Sequence, residues 1–200
     1  MTTYNPEGIM KFTEKTISSK VVYTGRIITV KEDTVELING KEVYREVVDH
    51  PGGVTIIPVD SSGDVIAVRQ FRYPFMQETL EVPAGKLEYG EDPYECAIRE
   101  LSEETGACAG RLINLGCIYT SPGFSREILH IFLALDLSFG CAHPDENELL
   151  NVERVPFSKM LDMVMNDEIR DAKTVVAVLK AARYLRTIDG GSYGENRINS

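Results

Sequence analysis

The pattern of apolar and polar positions places strands at the front of the chain and helices in a few later stretches. Residues 19–49 carry β-branched runs on either side of Ile38-Asn39-Gly40-Lys41. Asn-Gly between two such runs is a strong hairpin signal, so this segment predicts a small antiparallel sheet. Further on, Val54–Val59 and Val65–Arg69 flank the turn-forming stretch Asp60-Ser-Ser-Gly-Asp64 and predict two more strands. Strands are also expected at Thr79–Val82, Leu112–Tyr119 and Ile128–Leu135. Helices are expected from Pro93 to Thr105, around Lys159–Asn166, and from Asp171 to Arg186. Strands interleaved with a few helices predict an α/β (α+β) sandwich rather than a helical bundle. The pattern divides the chain into residues 1–50, a main domain over 51–188, and a Gly/Ser/Asn-rich tail over 189–200.

Composition narrows the functions this architecture can serve. The chain has 200 residues, with 21 Lys+Arg against 31 Asp+Glu, for a formal net charge of −10. An acid excess argues against a nucleic-acid partner, which needs clustered Lys and Arg, and against docking on an anionic membrane. No apolar run reaches the ~20 residues of a membrane span, and the first residues lack the apolar stretch of a signal peptide. Cysteines at 96, 108, 117 and 141 form no C-x-x-C pair, so free thiols in a reducing cytoplasm are expected.

The negative charge is not spread evenly. Residues 81–106 hold eight acids against two bases, and residues 143–154 hold four acids against one arginine. The predicted helix lies in the first of these segments. Asp92, Pro93 and Glu95 fit an N-cap, a proline at N1 and a capping-box acid, and Gly106 fits the helix stop. Ala97, Ile98 and Leu101 supply an apolar stripe, and Glu100, Glu103 and Glu104 cluster at i+3 and i+4 spacing on the other face. Like charges at this spacing disfavour a helix, more so near its C-terminus, where the macrodipole is negative. A solvated acidic face is the plain alternative. Carboxylates gathered in a disfavoured place point instead to a hard cation such as magnesium, which takes carboxylate oxygens and bridges to phosphate. Gly85 and Gly90 allow a tight loop to approach this helix.

Gly85, Glu91, Arg99, Glu100, Leu101, Glu103, Glu104, Gly106 and Ala107 fill nine specified positions over 23 residues. Together they resemble the box of the Nudix hydrolases. From about Val21 to Leu185 the chain further resembles the ADP-ribose pyrophosphatase branch of that family. Tyr44–Gly52, Arg69-Gln70-Phe71-Arg72, Glu81–Gly85 and Tyr119–Gly123 carry this likeness, with Pro122 placed 16 residues after Gly106. Asp145-Glu146-Asn147-Glu148 looks like the branch's acidic loop, and Asp171-Ala172-Lys173-Thr174 like the start of its last helix.

The resemblance implies a Nudix α/β/α sandwich around a mixed sheet, with the small antiparallel sheet in front. It implies Mg²⁺ as cofactor, with Mn²⁺ as a substitute, and a homodimer that exchanges N-terminal sheets. Glu100, Glu104 and the carbonyl of Ala84 are implied as metal ligands, with Glu103 beside them in a catalytic role. Glu146 is the first candidate for the general base and Glu148 the second, or a further ligand. Arg45, Arg72 and Glu81 are implied to bind substrate, while Gly85, Glu91, Arg99 and Gly106 shape the loop and helix. On spacing alone, Arg45 and Arg72 are ordinary arginines and Asp145–Glu148 a solvated loop. Asp171, Lys173 and Thr174 read as helix-start chemistry, and His50 and His130 as structural. The branch stacks adenine on an aromatic from the N-terminal sheet. Here no aromatic follows Gly25 up to Val30, which leaves Tyr23 and Tyr44 as weak candidates.

The expected activity is Mg²⁺-dependent hydrolysis of ADP-ribose to AMP and ribose 5-phosphate. A Nudix enzyme for another nucleoside diphosphate derivative, such as a nucleotide sugar, is the nearest rival. A sensor that binds ADP-ribose without cleaving it is the rival of another class, and the retained box carboxylates count against it.

Overall fold

A computed structural model describes residues 12–140 and 149–188. The described residues form two compact units, the first from residues 12–50 with 121–127 and the second from the rest of them. In the first unit, β1 (Glu14–Thr24), β2 (Thr29–Leu37) and β3 (Glu42–Asp49) make an antiparallel sheet in that order. The hairpin at Asn39-Gly40 closes through Gly40 N donating to Leu37 O at 2.8 Å and Leu37 N to Lys41 O at 2.9 Å. β1 begins earlier than expected, because its polar start (Glu14 to Ser19) still pairs through the backbone with β2. Every residue of β1 is exposed, so no apolar alternation marks its beginning. Residues 121–127 join this unit through Val48, whose N–H reaches Phe124 O at 2.8 Å.

The second unit contains β4 (Gly53–Pro58), β5 (Asp64–Arg72), β6 (Gln77–Glu81), β7 (Ala84–Lys86), β8 (Ala107–Tyr119), β9 (Ile128–Phe139) and β10 (Leu150–Pro156). Its helices are α1 (Pro93–Thr105), α2 (Phe157–Met165) and α3 (Ala172–Ile188). One sheet has the order β7-β4-β9-β8, with β4 and β9 parallel and the other pairs antiparallel. A second sheet, β10-β5-β6, is antiparallel.

The mixed sheet explains why β4 and β9 are largely apolar on both faces, since a sheet covered on both faces buries both sides of each strand. Val54, Ile56, Phe132 and Ala134 face α1 and pack with Cys96, Ala97 and Leu101. Ile57, Ile131, Leu133 and Leu135 face the other way and pack with Met160, Val164, Ala177, Val178 and Ala181 of α2 and α3. Helix, sheet and helix thus form the three layers of an α/β/α sandwich.

Two strands were not expected. β10 exposes or half-exposes all its residues except Val155, so it lacks an apolar period. β7 is only three residues long. The stripe on α1 also differs: Ile98 is exposed, and the buried residues are Cys96, Ala97, Glu100, Leu101, Glu104 and Thr105. At about 100° per residue, Ile98 turns away from the face that Ala97 and Leu101 share. Glu100 and Glu104 therefore lie on the buried face, while Glu103 is half-exposed.

Candidate active site

Helix α1 is fixed at both ends by its own sequence. Asp92 caps it by accepting a hydrogen bond from Tyr94 N at 2.8 Å, and Pro93 occupies the first helical position. Gly106 stops it with φ 67°, and its N–H donates to Ser102 O at 2.9 Å.

The loop before the helix is tied to it by one arginine. Arg99 donates from Nε to Glu91 Oε1 at 2.9 Å and from Nη2 to Glu91 Oε2 at 3.0 Å. Its Nη1 reaches Glu100 Oε1 at 2.8 Å and Glu103 Oε2 at 3.0 Å. Glu91 also accepts from Glu88 N at 2.9 Å. The Arg99 bonds are the main cause that holds the Glu91 carboxyl down at about 2. Arg99 is pushed above its ordinary value, first by Glu91. One guanidinium thus gathers three carboxylates and keeps the loop and helix in register.

Glu100 and Glu104 are 8% and 3% exposed. The loop crosses them closely. A Cβ at Gly85 would lie 1.8 Å from Glu100 Cδ, so the Glu100 carboxylate occupies the space a side chain would fill. Ala84 N donates to Glu104 Oε2 at 3.2 Å. The preceding segment is anchored as well: Ile56 N donates to Pro83 O at 2.8 Å, and Val82 N donates to Thr174 Oγ1 at 3.1 Å.

Glu81 ends β6 and begins this segment. It is 1% exposed, and both its oxygens are engaged. Arg72 donates from Nε to Oε1 at 2.8 Å and from Nη2 to Oε2 at 2.6 Å. Thr79 Oγ1 donates to Oε1 at 2.6 Å, and Lys173 Nζ donates to Oε2. Burial is the largest influence on this carboxyl and pushes it up, but Arg72, Lys173 and Thr79 together outweigh it and leave it at about 2. Arg72 is raised by Glu81 first, with smaller pulls from Asp171 and Glu104, which links this cluster electrostatically to Glu104 of α1.

Helix α3 supplies the far side of the cluster. Asp171 caps it, accepting from Thr174 N at 3.0 Å and Thr174 Oγ1 at 2.6 Å. Lys173 Nζ also lies 2.9 Å from Asp171 Oδ1.

A carbonyl and two carboxylates make an all-oxygen donor set that suits a hard divalent ion completing its shell with water. Among the described residues, no three Asp, Glu, His or Cys side chains converge to hold an ion unaided. At Gly85 the Glu100 carboxylate lies against bare backbone, and Glu104 stands beside it on the Ala84 N–H, so the two carboxylates expected to meet such an ion are brought together at this loop.

Of the residues expected in the site, Arg72, Glu81, Ala84, Gly85, Glu91, Arg99, Glu100, Glu103, Glu104 and Gly106 all belong to the second unit. Arg45 belongs to the first, where it binds Glu14 through Nε at 3.0 Å and Nη2 at 2.8 Å. Glu146 and Glu148 lie outside the described residues. Tyr23 and Tyr44 are exposed, His50 Nδ1 stands 3.5 Å from Glu127 Oε1, and His130 is half-buried in β9. Thr79 and Lys173 are the additions. Lys173 is 92 residues from Glu81 in sequence, and no local spacing announces the pair.

Comparison with known proteins agrees with this geometry. Residues 49–177 match the NUDIX domain, and residues 14–48 match the nucleoside diphosphate sugar hydrolase N-terminal domain. An ADP-ribose pyrophosphatase of Bacillus subtilis (strain 168) is 44% identical over 167 residues, covering 82% of this chain and 90% of that protein. A methanol dehydrogenase activator of Bacillus methanolicus is 40% identical over 169 residues, covering 84% and 91%. A crystal structure of an ADP compounds hydrolase superposes with a TM-score of 0.78 at 26% identity, covering 93% of this chain and 100% of that one. No helix among the described residues is long and apolar enough to cross a membrane.

Proposed function

The chain belongs to the Nudix hydrolase family, and from that premise we propose that it cleaves the diphosphate of ADP-ribose to AMP and ribose 5-phosphate, with Mg²⁺ as its divalent cofactor. The observation that carries this reading is the pair of buried carboxylates, Glu100 and Glu104, laid against the Ala84-Gly85 backbone.

Hydrolysis here forms one P–O bond from water and breaks the bond from that phosphorus to the bridging oxygen. The bridging oxygen leaves with the other phosphate, and the proton of the water passes to a base. Mg²⁺ held by Glu100, Glu104 and the Ala84 carbonyl would neutralise diphosphate charge and make the water more acidic. Glu103, bonded to Arg99 at 3.0 Å, helps keep the helix acids in place. We assign the base to Glu146, with Glu148 as the second candidate.

Arg72 orients the diphosphate; Glu81, being buried, acts on the substrate through Arg72 rather than by touching it. We assign Arg45 a diphosphate-binding role as well, and Glu14 is the partner that competes for it. The N-terminal sheet is assigned to a homodimer interface. Ile17, Val21 and Val22 of the outer strand β1 are exposed, and such an edge invites pairing with a second chain. Free thiols at Cys96 and the exposed Cys108 and Cys117 suit a reducing cytoplasm.

A second reading is a nucleotide-sugar substrate, favoured by the match of residues 14–48 to a nucleoside diphosphate sugar hydrolase domain. Incubating the protein with Mg²⁺ and a panel of nucleoside diphosphate compounds, with the products identified, separates the two. ADP-ribose should be consumed fastest. Glu104→Gln should lower kcat by about 100-fold or more, because it removes a metal ligand, while keeping the parental circular dichroism. Near-parental turnover by that variant would overturn the assignment.

A further inference from the structure

Arg72 is asked to serve two anions, the Glu81 carboxylate and a substrate phosphate. The two cations on Glu81 are not equivalent. The side chain of Arg72 is 38% exposed and that of Lys173 only 12%. Arg72 is therefore the member an incoming anion can reach, and Lys173 is the member that stays inside. When Arg72 turns part of its hydrogen bonding to an anion, its hold on Glu81 weakens. A buried carboxylate without a compensating cation is strongly disfavoured.

We propose that Lys173 is a positioning residue for the hydrolytic reaction: it keeps Glu81 paired while Arg72 engages the substrate diphosphate. The proposal rests on the assignment of Arg72 to the diphosphate. Its geometry is built from three elements. Lys173 stands in the first turn of α3, held at its other side by the capping Asp171 at 2.9 Å. Thr174, its neighbour, fixes the backbone of Val82, one residue after Glu81. Thr79 supplies a hydroxyl donor to Glu81 Oε1. With Lys173 and Thr79 in place, Glu81 retains a cation and a hydrogen bond whatever Arg72 does. Without Lys173, Arg72 is the one remaining cation on Glu81 among the described residues, and releasing it becomes costly.

A thermodynamic cycle tests this. The parent, Glu81→Gln, Lys173→Met and the double variant are compared for turnover of ADP-ribose with Mg²⁺ and for ADP-ribose binding by calorimetry. Lys173→Met should raise KM and Kd by about tenfold with kcat changed less than about threefold, and Lys173→Arg should restore most of the loss. In the Glu81→Gln background the same Lys173→Met change should alter KM and Kd by less than about twofold, since a neutral residue 81 needs no second cation. Equal losses in both backgrounds, or no loss in either, would overturn the proposal. If Lys173→Met alone does not fold, the double variant measured against Glu81→Gln decides. It should fold and match Glu81→Gln; a further large loss there counts against the proposal. A parent protein that hydrolyses no nucleoside diphosphate compound overturns the functional reading instead. If that protein still binds ADP-ribose, the calorimetric cycle judges Lys173 separately.

Discussion

Glycine 85 shows how tightly single residues are specified. Its φ needs no special freedom; what it needs is the absence of a side chain, since the space is filled by the Glu100 carboxylate 1.8 Å from where a Cβ would be. That carboxylate ends a flexible side chain, so Gly85→Ala can be relieved by moving it. The expected result is a split between stability and activity: a loss of about 1 kcal/mol or less in denaturant unfolding, but a fall in kcat of about 100-fold, because Glu100 is displaced from the ion we assign to it. Equal effects on both measurements would contradict this account. The position was legible as part of the nine-residue box, whereas the reason for it was not. Lys173 is the opposite case. It reads as an ordinary lysine at a helix start, and its meeting with Glu81 across 92 residues is a product of tertiary packing.

At the scale of elements, the ends of α1 were written in its sequence, while the face it buries was not. Asp92, Pro93 and Gly106 mark the boundaries through local chemistry that depends on a few neighbouring groups. Asp92→Ala removes the acceptor for Tyr94 N and should lower stability by about 1 kcal/mol, read as a reduced midpoint in urea with an unchanged slope. An unchanged midpoint would mean that the cap does not stabilise the helix. The acids of α1 look solvent-facing when Ile98 is counted in the apolar stripe. In the folded chain Cys96 takes that place and Glu100 and Glu104 turn inward, where an arginine and the Ala84 backbone meet them. A helix that buries carboxylates breaks the usual amphipathic pattern, and such breaks mark functional sites. β10 escaped notice for a simpler reason. It is a sheet edge whose one buried residue, Val155, cannot create a periodic signal.

For the whole molecule, the interleaving of strands with a few helices was visible and led to a layered sandwich, whereas the burial of β4 and β9 on both faces is set by the helices that cover them. The concentration of charge was visible too. Eight acids against two bases within residues 81–106 make that segment self-repelling, relieved in part where Arg99 gathers three of them. A bound divalent ion should relieve more. At a hundredfold excess of Mg²⁺ over its Kd, linkage predicts about 2.7 kcal/mol of stabilisation and a rise in Tm of roughly 5–10 °C. Scanning calorimetry at constant ionic strength checks this, and Glu104→Gln should show a much smaller rise. A parent Tm indifferent to Mg²⁺ would remove the metal from the account. The same helix carries a thiol with a different use. Cys96 is fully buried beneath the loop, and its thiol, driven mainly by burial and then by Glu91, is pushed up to about 12. At neutral pH it is a protonated, inaccessible sulfur, while Cys108 and Cys117 on β8 are open to reagents. Alkylation at Cys96 therefore requires α1 to part from its loop, which makes this residue a built-in clock for local opening of that helix, ticking only when the fold lets go.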